Sequence, residues 1–561
     1  MRIGQICAFA ITAAVLGACT PADAPDAVYF GGVIYTGVDG APTAEAVSVR
    51  GGRIVKIGKS ADIVKTAVPS TQLVDLAGVY LYPGFTDAHV HLRGVGEREM
   101  TLNLDEVASV AELVSVVGEA VKPLQPGEVL VGRGWIETHW PEKRFPTRFD
   151  LDAVTGDHPV VLVRADGHAL VANTAAMTAA KLMDTAPAQP DGGRIEVDAS
   201  GVATGMLIDN AMGPIAALQA MPAPETINKA FELGAAKYAR LGWTGVHNMS
   251  VAAADVPRMT ALSKAGKLPL RIYNAVDGGE AGDFGDDVFP KDDGGLVTTR
   301  AIKLYMDGAL GSRGALLEAP YADKPDTNGL QRAHEAETLA LLKKAYDKGI
   351  QVSFHAIGDK GNDLVLNWME QTFATVPEDE RKARNPRWRI EHAQILEPAD
   401  VPRFAKLGVI PSMQPSHAIG DLYFAPARLG EARLAGAYAW RALIDAGSII
   451  AGGSDAPVER GDPRIEFYAA VARKDLKGAS GADWHPEQAV TRAEALKMFT
   501  LWPAVASFRE RELGTIEPGK LADFTGFSAD IMTIPDAEIL TVEPEISVVG
   551  GAVAWRRDDQ G

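Results

Sequence analysis

Residues 85–92 read Phe-Thr-Asp-Ala-His-Val-His-Leu (FTDAHVHL), and the reading of the chain turns on the pair His89 and His91. Residues two apart on a strand point to the same side, so both imidazoles can reach one cation. Just before them the apolar run VYLYPGF, broken by Pro83 and Gly84, reads as the lead-in to a buried strand. Two polar residues on an ordinary strand leave the same trace, so the rest of the chain has to decide.

The chain has 561 residues, enough for a large barrel plus a second domain. Its hydrophobic share of 47% and charged share of 23% are those of a globular protein. No solenoid-length repeat or low-complexity tract is present. A net charge of −18, with no run of Lys/Arg, argues against nucleic acid and fits a solvated acidic surface.

The first residues, MRIGQICAFAITAAVLGACT, give a basic start at Arg2, an apolar stretch from Ile6 to Leu16, and then small residues. That is the pattern of a secretory signal, too short for a convincing membrane span. Leu16-Gly17-Ala18-Cys19 resembles the bacterial lipobox, in which the cysteine is lipidated, and TPADAPDA after it reads as a flexible tether. In the lipoprotein family that this motif resembles, Thr20 in place of Asp favours the outer membrane, so the resemblance implies an outer-membrane lipoprotein of the cell envelope facing the periplasm. A plain signal cleaved near Ala18 is the alternative. The two cysteines are Cys7 and Cys19, so no disulfide forms within the mature chain. Any metal site must use His, Asp, Glu or Lys.

Short segments rich in Val, Ile and Tyr, such as AVYFGGVIYTG and AEAVSVRGGRIVKIG, follow the tether, and the C-terminus repeats that texture in ISVVGGAVAWR. Residues 28–82 and 505–561 are therefore expected to build one small β-sandwich domain. Between them apolar runs alternate with helical stretches, the rhythm of parallel strands with crossover helices. Eight candidate strands can be read: YPGFTDAHVHL, GWTGVHNMS, PLRIYNAV, AIKLYMDGAL, IQVSFHAIG, WRIEHAQI, GVIPSMQPS and SIIAGGSDAPV. They predict an α/β chain with a (β/α)8 TIM-like barrel over residues 83–504. The long gap after the first strand predicts an inserted subdomain near the barrel mouth, at about 130–235.

A (β/α)8 barrel places its chemistry at the C-terminal ends of the strands. There the first strand carries His89 and His91, the fourth Lys303, the fifth His355, the sixth His392 and the eighth Asp455. An ordered set of six such residues on one face answers the opening question in favour of a metal site.

This order resembles the amidohydrolase superfamily. The likeness extends to its YtcJ-like, N-substituted formamide deformylase branch through GRGW, FPTRFDLD, DGHA, KLYMDGALGSR, FHAIGDKGND, RIEHAQI, QPSHA, GGSDAPV and GTIEPGKLADF. The resemblance implies a divalent metal centre, with two Zn²⁺ expected and Mn²⁺, Fe²⁺ or Co²⁺ as alternatives. His89, His91 and Asp455 would hold the more buried ion, and His355 with His392 the more exposed one. Lys303 would be carboxylated and bridge the two. It implies hydrolysis of a C–N bond in an amide, formamide or N-acyl compound by metal-activated hydroxide, with Asp455 as general base and then acid. Asp87 and Glu391 are expected to support ligands rather than react.

Candidate substrate contacts are His168, Arg313, Trp135 and His417, with Trp140 and His247 also considered near the mouth. Arg313 can equally form a surface ion pair, His168 a loop hydrogen bond, and Trp135 and Trp140 the core of the insert. A small molecule is the expected substrate, and a homodimer the expected assembly. An esterase or lactonase using the same site is the alternative within enzymes. A non-catalytic metal- or ligand-binding lipoprotein is the alternative outside them.

Overall fold

The computed structural model describes residues 24–557 apart from 106, 126, 166, 184–186, 191–192, 217–221, 287, 291–293 and 481–483. The signal segment and Cys19 lie outside the described residues. Among those described, no helix is long and apolar enough to cross a membrane.

The chain folds into the expected (β/α)8 barrel. Its strands are Phe85–Val90, Trp243–Val251, Arg271–Asp277, Val297–Tyr305, Gln351–Ala356, Arg389–His392, Ile410–Met413 and Ala451–Gly452, in that spatial order. All seven neighbouring pairs are parallel. The fifth, sixth and seventh strands are buried at every position, as strands covered on both faces must be.

The seam between the last and first strands closes beside the histidine pair. The Asp455 N–H donates to the His89 carbonyl at 2.7 Å, and the His91 N–H donates to the Ala456 carbonyl at 2.8 Å. Gly453 allows that approach, because a Cβ there would lie 2.4 Å from the His89 nitrogen. Barrel closure therefore brings residues 89–91 and 455 together, although 364 positions separate His91 from Asp455 in sequence.

A second sheet joins the two ends of the chain. Its eight strands include Ala27–Tyr35, Thr43–Arg50 and Tyr80–Pro83 from the N-terminal side and Phe524–Phe527, Pro544–Val549 and Ala552–Arg556 from the C-terminal side. Tyr80–Pro83 pairs with Phe524–Phe527, and the first barrel strand follows directly. Phe527 sets its ring 5.7 Å from that of Phe85, fastening this sheet to the barrel floor.

The insert is a six-stranded sheet between Leu102 and Asp209, shifted from the expected 130–235. At its start, helix Val110–Ala120 buries Val110, Leu113 and Val117 in the insert's own core. At its end, helix Pro224–Leu241 gives Phe231, Ala235 and Tyr238 to the barrel core instead. That helix packs closely on Leu92–Met100, where a Cβ on Gly96 would meet the Ala230 carbonyl at 1.6 Å.

Candidate metal centre

Four histidines enclose one space at the barrel mouth, and three of them have one ring nitrogen tied to the wall. His89 Nδ1 lies 2.7 Å from Glu391 Oε2, His91 Nδ1 3.2 Å from the Met249 carbonyl, and His392 Nδ1 2.9 Å from Gln414 Oε1. His355 Nε2 lies 3.3 Å from Asp307 Oδ1 without a hydrogen bond between them. In His89, His91 and His392 these partners fix the tautomer and leave the opposite nitrogen free for a ligand role. The rings converge: centroids of His89 and His392 are 4.8 Å apart, and those of His355 and His392 4.5 Å.

Asp455 completes the set. Its Oδ1 lies 3.1 Å from His91 Nε2 and 3.4 Å from His89 Nε2, and is buried without a hydrogen-bond donor. Its Oδ2 lies 3.7 Å from His417 Nε2. Two triads have donor atoms mutually close enough to hold a cation: His89, His91 and Asp455, and His392, His417 and Asp455. Asp455 belongs to both.

The electrostatics suit cation binding. Burial, reinforced by the Lys303 charge, lowers His89 to about 4. Burial also lowers His355, and burial with neighbouring imidazoles holds His392 well below its usual range. These rings are therefore neutral at pH 7, the protonation state of a metal ligand. Burial opposes ionisation of Asp455, but the nearby imidazoles outweigh it and keep its pKa well below the ordinary carboxylate value. Neutral nitrogens around a carboxylate fit a divalent ion.

Lys303 projects into this space from the fourth strand and is 1% exposed. Its Nζ lies 3.3 Å from His89 Nε2, and burial pushes its pKa down to about 8.

Two of the candidate ligands occupy left-handed backbone, His392 at φ 76° and Asp455 at φ 61°. Non-glycine residues adopt this region at a cost of ~1–3 kcal/mol, and such strain clusters at functional sites. Beneath the site, Arg389 and Glu391 form a fully buried ion pair, Nε to Oε1 at 2.8 Å. Burial would raise the Glu391 carboxyl, but Arg389 and His89 hold it below its usual range. Asp87 has a separate duty. It accepts from the Ser454 hydroxyl at 2.6 Å and from the Tyr238 hydroxyl at 3.0 Å, bracing the turn that leads to Asp455.

The centre opens into a cavity of about 610 Å³ roofed by the insert. His168 and His417 line it, and His168 Nδ1 is 2.8 Å from Asp209. Three other expectations are corrected. Trp135 does not reach the cavity: it is fully buried beside Trp140 in the insert core, with its indole N–H bonded to the Leu162 carbonyl. Arg133, Gly134 and Ile136 line the cavity instead, and a register shift between Arg133 and Trp135, where Gly134 takes φ 116°, breaks the strand alternation and turns Trp135 into the insert core. Arg313 makes a two-point ion pair with Asp323, at 3.0 and 2.7 Å, outside the metal cavity. His247 lies mid-strand rather than at the mouth, and its Nδ1 accepts from Arg389 at 2.7 Å.

Sequence reading missed Gln414, Asp307 and the cavity arginines. Asp307 accepts backbone N–H groups from Leu316, Ile357 and Gly358 while facing His355, so it fixes both loop and ligand. Its position inside KLYMDGALGSR, four residues after Lys303, was the available signal.

The family model described as "Amidohydrolase family" matches residues 72–554. The putative amidohydrolase YtcJ of Bacillus subtilis is 35% identical, covering 95% of this chain and 99% of that protein. The N-substituted formamide deformylase of Arthrobacter pascens is 29% identical, covering 92% and 95%. Among solved structures, a metal-dependent hydrolase from Pyrococcus horikoshii superimposes with a TM-score of 0.74 at 26% identity, covering 91% of this chain and 99% of that one. With its barrel, its converging histidines and this match over most of its length, the chain belongs to the amidohydrolase family and is a metal-dependent hydrolase.

Proposed function

We propose that the centre hydrolyses a C–N bond in an amide, formamide or N-acyl compound, with Asp455 moving the proton. The observation that carries this reading is Asp455 itself, shared by both candidate triads and facing the cavity with a carboxylate oxygen that no donor occupies. His89, His91, Lys303, His355, His392 and Asp455 would hold the metal, two Zn²⁺ in our reading. A divalent ion so held supplies electrophilic polarisation of a carbonyl and acidifies water towards a pKa of ~7. Asp455 takes the proton of the attacking water and delivers it to the leaving nitrogen as the C–N bond breaks. His91 and His417, on either side of that carboxylate, keep it aimed at the cavity.

Lys303 contributes as a carbamate in this account. Its amine, at a pKa of about 8, is neutral in roughly a tenth of molecules at pH 7. The neutral Nζ attacks CO₂, a C–N bond forms, a proton leaves to water, and an anionic carboxylate results. That would replace a cation among the candidate ligands with an anion, the charge a divalent centre calls for.

For location, we read Leu16–Cys19 as a lipidation site that anchors the chain to the outer membrane facing the periplasm. The test of function uses the soluble form truncated after Cys19 on aryl formamides, N-acyl anilines and aryl esters, with and without chelator. Chelator-sensitive amine release is expected; turnover of the esters alone would replace the reading with an esterase.

A further inference from the structure

We propose that Arg332 binds an anionic group, a carboxylate, on the substrate, which makes acidic N-acyl compounds the preferred class. The inference rests on the hydrolase reading above and names its substrate. Arg332 lines the metal cavity with Lys303 and His355. Its backbone N–H donates to the Met306 carbonyl at 2.7 Å, pinning its loop to the exit of the fourth strand. Its guanidinium carbon sits 5.1 Å from the centroid of the Tyr305 ring, and Lys303 Nζ is 5.2 Å from the same centroid. Tyr305 is itself held by the Ser250 hydroxyl. The cation is thus stacked on a fixed ring a short reach from the ligand cluster.

Its lack of a carboxylate partner sets it apart. Arg98 pairs with Asp105 and Arg164 with Glu137 in the same cavity. Arg332 has no ion pair or side-chain hydrogen bond to a described residue. Five N–H donors in a planar fork suit two-point capture of a carboxylate, and a walled cavity raises the local concentration of an anion. An anion there also places the rest of the ligand across Tyr305, toward His355 and Asp455.

The experiment compares 4-formamidobenzoate with neutral 4-methylformanilide on the metal-loaded wild type, Arg332→Met and Arg332→Lys. Arg332→Met should raise KM for the acid about tenfold to a hundredfold, and this loss should exceed its loss on the neutral compound at least tenfold. Arg332→Lys should recover part of the preference, as a point charge without the fork. Should neither compound be turned over, calorimetric binding of the same pair decides. A weaker acid complex in Arg332→Met keeps the anion site while the hydrolase reading fails. Equal losses on both compounds, or no preference for the acid by either readout, overturn the proposal and leave the hydrolase reading standing if turnover is seen.

Discussion

His89 Nδ1 and the Glu391 carboxylate lie 2.7 Å apart with both side chains fully buried, so one candidate metal ligand is also part of the barrel's polar core. The opposite nitrogen of that ring faces Lys303 and Asp455. Ligation and folding are therefore coupled at this histidine.

That coupling gives a pH dependence in the metal-free protein. His89 has a folded pKa of about 4, below the unfolded value of ~6.5, so the unfolded chain takes up the proton first as pH falls. Stability is then lost between about pH 6.5 and 4, by up to about 3 kcal/mol. Glu391, held below its usual range, contributes stability above ~4.3 that is lost as pH falls further. Urea midpoints of metal-free protein should decline from pH 7 to 4.5, and His89→Asn should flatten the slope. A flat wild-type profile would contradict this.

Ligand removal separates the two roles. His91 has a side chain 32% exposed, whereas His89 is 0% exposed. His91→Ala should lose metal by elemental analysis while the metal-free form keeps its unfolding free energy within ~0.5 kcal/mol. His89→Ala should lose metal and also ~2–4 kcal/mol, because Glu391 forfeits a buried partner. Equal stability of the two variants would show that the buried pair does not matter.

Lys303 is tested by chemical rescue. Lys303→Ala should abolish most turnover and at least one bound metal, and a short carboxylic acid at high concentration should restore part of both. Lys303→Arg should not be rescued, since a guanidinium stays charged and forms no carbamate. Near-normal turnover of Lys303→Ala with full metal content would remove the carbamate from the account.

The join between sheet and barrel makes a stability prediction. Phe527 is 1% exposed and packs against Phe85 and Tyr82. Phe527→Ala should cost ~3–5 kcal/mol in urea unfolding. A cost under ~1 kcal/mol would mean that the C-terminal sheet does not brace the barrel floor.

The barrel and the convergence of the candidate ligands were legible because strand ends in this architecture converge whatever the loops do. His89, Lys303, His355, His392 and Asp455 each sit at or beside such an end. The cavity contacts were not, because they depend on which way a loop or an insert strand turns. Trp135 shows this: its strand ends with it, and the next residue, Ile136, lines the cavity while the indole turns into the insert core. Arg313 and Arg332 are equally polar loop residues in sequence, yet only Arg313 meets an acid, Asp323. His247 sits at the centre of a nine-residue strand, and the motif GWTGVHNMS already spans all of it but Val251, so three residues follow the histidine within the motif itself. The strand runs on to Val251, four residues beyond it, and the histidine ring meets Arg389 in the layer below the candidate metal site.

The most direct measurement titrates metal-free protein with Zn²⁺ while recording bound metal and hydrolysis of an aryl formamide. The account predicts no turnover without metal, then activity rising with occupancy to a plateau at about two equivalents per chain. Undiminished turnover with metal below about a tenth of an equivalent would contradict it, as would full metal loading with amine release no faster than in buffer.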